Sequence, residues 1–303
     1  MKVTRLPELS GERSGRHVAI GTFDGVHLGH REVIRGADTV LTFDPHPLSV
    51  IHPEATPKLL NPFPVKRDLI AALGVEELVV IPFDRSFAAL EAEQFAGDVL
   101  AGRLGAASVS VGENFRFGKG ARGTPEFLSS RPEFETRVVP LVEVAGETVS
   151  SSHIRGLVAA GEVKTAADFL GCPFLFEGEV VAGDRRGREL GMPTANLVPD
   201  DRLVCPGHGV YAAWAAAQGA SGQAAAVNVG VRPTFATGRG LVVEAHLIDF
   251  EGDLYGQRLR IAFLERLRGE RRFETAEALV EQMNRDVREA AEICERAATV
   301  SRR

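Results

Sequence analysis

The spacing of apolar residues changes at Gly171, and this change constrains the fold more than any single motif does. Before it, short β-branched runs at 17–21, 39–43, 77–82, 108–111 and 136–141 alternate with helical patterns. One helical interval, 64–73, carries Val65, Leu69, Ile70 and Leu73; another, 92–103, carries Phe95, Val99 and Leu100. Alternating strands and helices predict a parallel sheet of Rossmann type, with these apolar faces covering it. A helix-like stretch follows at 151–171. Beyond Gly171, runs at 174–181, 209–216, 224–229, 241–248 and 258–264 are separated by Gly, Pro and Asp clusters. That pattern predicts a small antiparallel barrel or sandwich. The segment 274–298 sets Leu279, Met283, Val287, Ala291 and Cys294 at mostly four-residue spacing, which predicts an amphipathic helix packed on those strands. Two domains, 1–170 and 171–303, are expected.

Composition narrows the partners. The 303 residues carry a net charge of −6, and the isoelectric point is near 5.8. A general nucleic-acid or anionic-membrane surface needs clustered Lys and Arg, so neither is expected and any phosphate binding is local. The basic run at 264–273 reads as a solvated loop. Cys172, Cys205 and Cys294 are odd in number and widely spaced, which suits reduced thiols and a cytoplasmic protein. No apolar run reaches the roughly 18 residues of a membrane span. A monomer or weak homo-oligomer is the expectation.

The first chemical signature is GTFDGVHLGH at 21–30, which leaves the apolar strand HVAIG directly. Gly21, Gly25 and Gly29 let backbone approach a ligand where a helix begins, a place suited to phosphate. His27 and His30, three residues apart, can both donate to one anion whose charge grows during attack. A tight turn with two solvated histidines is the plainer alternative. The second signature, GDRRGRELGMPTANL at 183–197, joins a basic glycine-rich loop to Thr194 and Asn196. Their hydroxyl and carbonyl oxygens suit Mg²⁺, and Gly187 and Gly191 let amides meet phosphate. A surface hairpin would also explain the bare PTAN.

These motifs occur in a telling order with FDPHP at 43–47, VGENFRFG at 111–118, SSSHIR at 150–155, NVGVRPTF at 228–235, VEAHLIDF at 243–250 and DLYG at 253–256. Together they resemble the bacterial bifunctional riboflavin kinase/FAD synthetases across nearly the whole chain. The resemblance implies a Rossmann-like nucleotidylyltransferase domain, then an antiparallel β-barrel with a C-terminal helix. It implies that riboflavin is phosphorylated to FMN, and FMN adenylylated to FAD, each step using ATP and Mg²⁺. By position, Gly21, Phe23, Gly25, His27, Gly29 and His30 would meet ATP phosphates. Asn114 would line the adenylylation site, and Ser151, Ser152 and Arg155 would complete the phosphate pocket. The pattern more often has Thr at Ser152 and Arg at His153.

In the second half, Thr194 and Asn196 would carry metal and phosphates, and Glu244 would be the general base toward the ribityl hydroxyl. His246 shares a strand face with Glu244. Flavin needs a flat apolar slot, for which Phe235, Phe250, Tyr255, Phe263 and Phe273 are candidates. One departure stands out: only nine residues separate His30 from Val40, whereas the resembling proteins carry a longer crossover helix. Two alternatives therefore stand at this stage, a riboflavin kinase with an impaired N-terminal domain and a non-catalytic flavin-binding protein.

Overall fold

The computed structural model describes residues 1–9, 13–182, 192–217, 219–234 and 238–301. Backbone contacts divide the chain into two units. Met1–Pro57 and Pro62–Ser151 form the first; Lys58–Asn61 and Ser152–Arg303 form the second.

The first unit is a six-stranded sheet of β1 (Lys2–Arg5), β2 (Arg16–Ile20), β3 (Thr39–Asp44), β4 (Glu77–Pro82), β5 (Ala106–Gly112) and β6 (Glu135–Val139). The order is β1-β4-β3-β2-β5-β6 and every pairing is parallel. Strands of such a sheet are covered on both faces and read as continuous apolar runs, which is why 39–43 and 77–82 were legible. Val18, Ile20, Leu41, Val79 and Ile81 pack on one face with Phe95, Val99 and Leu100. Ala19, Val40, Leu78 and Val80 pack on the other with Val33, Ile34 and Ile70. Helices α1 (Leu28–Ile34), α2 (Pro47–Ile51), α3 (Phe63–Ala71), α4 (Arg85–Ala88), α5 (Ala92–Gln94) and α6 (Pro125–Ser129) connect the strands. A two-stranded ribbon, β7 (Glu143–Val144) and β8 (Glu147–Thr148), precedes α7 (Ser151–Ala160).

Three expectations change here. The helix over 92–103 is one α-turn followed by a π-helix, Phe95–Arg103, which still buries Phe95, Ala96, Val99 and Leu100. Gly102 permits that winding, because a Cβ there would lie 3.2 Å from the Gly97 carbonyl. Leu73 is exposed, since α3 ends at Ala71. β1 was not anticipated. It docks because Thr4 donates to the buried Glu77 at 2.9 Å, and Arg16 reaches the same carboxylate at 3.3 Å. Burial pushes the Glu77 carboxyl up, but these donors outweigh it and hold it below its usual range.

The short crossover is built. α1 spans seven residues, buries Val33 and Ile34 and stops before Gly36, whose φ of +78° suits glycine. β2 and β3 remain parallel neighbours, with Val18 opposite Thr39. From β2 the chain fills β3 and β4 on one side and returns to β5 and β6 on the other. The crevice at the carboxyl ends of β2 and β5 is where such sheets bind ligands.

In the second unit, α8 (Val163–Leu170) ends at Gly171, and the barrel follows as β9 (Phe174–Val181), β10 (Ala195–Leu197), β11 (Gly209–Ala217), β12 (Gln223–Thr234), β13 (Gly238–Leu247) and β14 (Arg258–Arg268). It closes in the order β10-β13-β12-β11-β14-β9, so the barrel reading holds over the sandwich. Here one face is inside and burial alternates: Phe174, Phe176 and Val180 point in from β9. The C-terminal helix α9 (Ala276–Ser301) packs on β11, β12 and β14, burying Ala290, Ile293 and Cys294. β10 was not expected, because Ala195, Asn196 and Leu197 together carry no strand signal.

Candidate active sites

The first site begins where β2 ends. Phe23, Gly25 and Val26 have φ of +49°, +87° and +45°, and a β-branched residue in that region stores about 1–3 kcal/mol of strain. The turn is held because Phe23 and Val26 are buried in the core and its carbonyls are engaged by the protein. Thr22 O accepts from Lys66 Nζ and from Thr42 Oγ1, both at 3.2 Å. Phe23 O accepts from the Val26 amide at 3.3 Å, Asp24 O from Ser151 Oγ at 3.0 Å and Val26 O from Arg31 Nε at 3.2 Å. A turn meant for a polyanion needs its acceptors occupied in this way, since outward carbonyls repel phosphate.

His27 caps α1, its Nδ1 accepting from the His30 amide at 3.3 Å. That bond assigns the ring proton of a neutral His27 to Nε2, which is then a donor. The His30 ring stacks on His27 with centroids 3.5 Å apart and takes the Phe23 edge at 5.3 Å. Burial, then the His27 ring and the Lys66 charge, hold His30 well below its ordinary 6.5, so it is neutral at pH 7. Its Nδ1 is buried without a hydrogen-bond partner among the described residues. Gly29 makes room for this arrangement, because a Cβ there would lie 3.3 Å from His27 Cε1. Gly21 lets the Phe23 ring fold back, at 3.0 Å from a Cβ. Asn114 is exposed just past β5, at the other lip of the crevice.

Several expected roles take a specific form. Phe23 is a core side chain whose edge supports His30. The Ser151 hydroxyl donates to the Asp24 carbonyl and so braces the turn. Ser152 and Arg155 fall in the second unit, where Arg155 donates to Ser152 Oγ at 2.9 Å. His46 caps α2, accepting from the Leu48 amide at 3.2 Å. Sequence reasoning missed Lys66 and Asp24. Burial lowers the Lys66 ammonium while the Asp24 and Asp44 carboxylates oppose that fall. No spacing rule links residues 24, 44 and 66; only the packed α3 does.

The second site is a row across three barrel strands. Asn196 of β10 and Asn228 of β12 both stand opposite Glu244 of β13. Asn228 Nδ2 donates to Glu244 Oε2 at 3.3 Å, and Asn196 Nδ2 donates to Thr194 O at 3.3 Å. His246 has a backbone partner. Its Nδ1 donates to Pro193 O at 2.9 Å and ties the segment before β10 to the barrel. Asn228 was missed because cross-strand register is invisible in a linear motif.

Glu244, Asn196, Thr194 and Met192 line a cavity of about 690 Å³, closed on another side by Phe273 and the Met283 face of α9. Arg268 and Asp286, both largely buried, meet at 2.7 Å in its wall, with Gln282 donating to Asp286 at 2.8 Å. Of the flavin-slot candidates, Phe273 lines this cavity, beneath the Arg268 guanidinium. Phe263 does not. It is fully buried in the barrel, edge-on to Tyr211 at 5.2 Å. Tyr255 is exposed, and Phe235, Gly187 and Gly191 lie outside the described residues.

The donors gathered at Thr194, Asn196 and Glu244 are a hydroxyl, an amide oxygen and a carboxylate. All are hard oxygens, the set that fits Mg²⁺ shared with substrate phosphates. The three cysteines are thiols; burial pushes Cys205 up to about 12, which makes it inert.

A family model for FAD synthetase matches residues 10–153, and one for riboflavin kinase matches residues 170–294. The bifunctional riboflavin kinase/FMN adenylyltransferase of Escherichia coli (strain K12) is 35% identical over 289 residues, covering 90% of this chain and 91% of that protein. The enzyme of the same name from Bacillus subtilis (strain 168) is 36% identical over 296 residues, covering 92% of each. This chain belongs to that family. A crystal structure of a Streptococcus pneumoniae chain, described as a macrolide-efflux protein, matches with a TM-score of 0.83 and 31% identity, covering 94% of this chain and 97% of that one. Efflux is a description of that chain; among the described residues here, no helix is long and apolar enough to cross a membrane.

Proposed function

We propose that this transferase phosphorylates riboflavin to FMN in the barrel and adenylylates FMN to FAD at the parallel sheet. Residues 171–303 carry the first step and 1–170 the second, both with ATP and Mg²⁺, in the cytoplasm, as a monomer or weak homo-oligomer. The observation that carries the reading is the placing of Glu244 between two asparagines on the wall of a cavity.

In the kinase step the nucleophile is a neutral primary hydroxyl. Glu244 takes its proton while the oxygen forms a bond to the γ-phosphorus of ATP, and the bond from that phosphorus to the bridging oxygen breaks to release ADP. The Asn228 amide holds the carboxylate on this face of the barrel. Thr194 and Asn196 would offer oxygens to Mg²⁺, which would neutralise charge on the transferring phosphates. Phe273 offers the cavity's flat apolar contact for an isoalloxazine ring.

In the adenylylation step the nucleophile is an FMN phosphate oxygen, already anionic, so no base is required. It bonds to the α-phosphorus of ATP as pyrophosphate departs. His27 and His30 answer the need that remains, donors aimed at growing negative charge. The seven-residue α1 and its His27 cap bring both histidines onto one turn, which supports retention of this step.

Incubation with ATP, Mg²⁺ and either riboflavin or FMN, with products resolved by chromatography, tests the proposal. FAD from both starting points is the expected result. FMN accumulation without FAD would remove the N-terminal assignment, and no product from either would remove both.

A further inference from the structure

Lys66 has no part in the motifs that define either site, yet its ammonium lies behind the histidine pair. It projects from α3, on the sheet face where Ile70 and Val33 pack, and is partly buried. A lysine placed there gives up hydration and needs a compensating partner. The Thr22 carbonyl is that partner, at 3.2 Å, and it also accepts from Thr42. Thr22 opens the turn whose next residues carry the positive φ values, so the bond fixes the strained segment at its root.

We propose that Lys66 is a positioning residue for adenylyl transfer, holding the Thr22 carbonyl inside the fold and so fixing the turn from which His27 and His30 meet the nucleotide. This rests on the assignment of adenylylation to the parallel-sheet site. The geometry assigns the ammonium a second effect through charge. His27 from the cap of α1 and Lys66 from α3 both disfavour a proton on His30, while Asp24 in the turn and Asp44 at the end of β3 oppose the fall that burial imposes on Lys66 itself. Phe23 covers the His30 edge and carries no charge. A neutral His30 beside the Lys66 side chain can still donate to phosphate through its ring N–H.

Two substitutions separate positioning from simple packing. Lys66→Met keeps the length and loses donor and charge, and should lower FAD formation from FMN by about 10²-fold, the scale of a small misplacement in a reacting site. FMN formation from riboflavin by the same chain should not change, and this reports that the variant is folded. Lys66→Arg keeps charge and donors and should restore FAD formation. Removing the cation should also move the acid limb of FAD formation to higher pH, matched by a higher His30 titration point in isotope-labelled histidine NMR. Unchanged FAD formation in Lys66→Met overturns the proposal, as does lost FAD formation with an unmoved His30 titration. If Lys66→Met loses both activities, Lys66→Arg decides: FAD formation retained supports the role, and its selective loss overturns it. Should the wild-type chain make no FAD, the site assignment fails, and the His30 titration of the two variants still decides what Lys66 does.

Discussion

On the proposed function, the turn after β2 and the row across β10, β13 and β12 meet the same kind of ligand with opposite means. The turn presents two imidazoles over a braced backbone, with a cation behind them. The row presents a carboxylate between two neutral amides. The nucleophile explains the contrast. A phosphate monoester arrives already charged and needs donors and no base. A hydroxyl arrives neutral and must lose a proton, so a carboxylate is required. On the proposed assignment, a base at the barrel site and none at the sheet site, more than phosphate binding itself, separates the two steps.

That contrast can be broken in stages. Glu244→Gln should lower FMN formation from riboflavin by about 10²–10⁴-fold, the range of a lost general base, with FAD formation from FMN untouched. Product chromatography from each starting flavin measures both; an unchanged kinase rate would end the base assignment. His27→Ala or His30→Ala should cost about 10²–10³-fold in FAD formation, as loss of a preorganised donor does, while FMN formation persists. Equal losses in both assays would mean the histidines serve the fold and not the reaction. Asn228→Ala should slow the kinase step about tenfold, the equivalent of one net hydrogen bond, with little change in substrate affinity. A change confined to KM would show that the amide binds flavin instead of steadying Glu244.

The smallest effect concerns pH. Unfolded His30 takes a proton near its ordinary 6.5, and folded His30 resists it. Above that pH both states are neutral and the residue adds no pH dependence. As pH falls through 6.5 toward the lowered folded value, the unfolded state binds the proton first and stability is lost. Thermal unfolding of wild type should therefore fall more steeply between pH 7 and 5 than that of His30→Asn. Parallel curves would remove the desolvated histidine from the account.

Local features were readable in the chain, and features made by pairing were not. His27 and His30 are three residues apart, and Gly29 lies between them, so one helical turn brings them together whatever surrounds it. Strands β3 and β4 announce themselves because both faces are buried. Glu244 was reachable only by resemblance, since its setting depends on register with residues 16 and 48 positions away. Lys66 was missed for the same reason. Phe263 and Phe273 are alike in sequence, yet the first is on an inward barrel position and the second follows the end of β14. β1 has four residues, too few for a period to show.

Among the described residues, β10 pairs with β9 through Asn196 opposite Val181 and Leu197 opposite Val180. This is the seam that makes the sheet a barrel, and the residues assigned to metal and phosphate stand on or beside it. A ligand gripped there works as a rivet: saturation at a hundred times Kd contributes about 2.7 kcal/mol to whatever structure binds it. If the proposed kinase substrate binds there, it becomes part of the vessel's own wall, and without it the barrel is held along that line by its briefest stave.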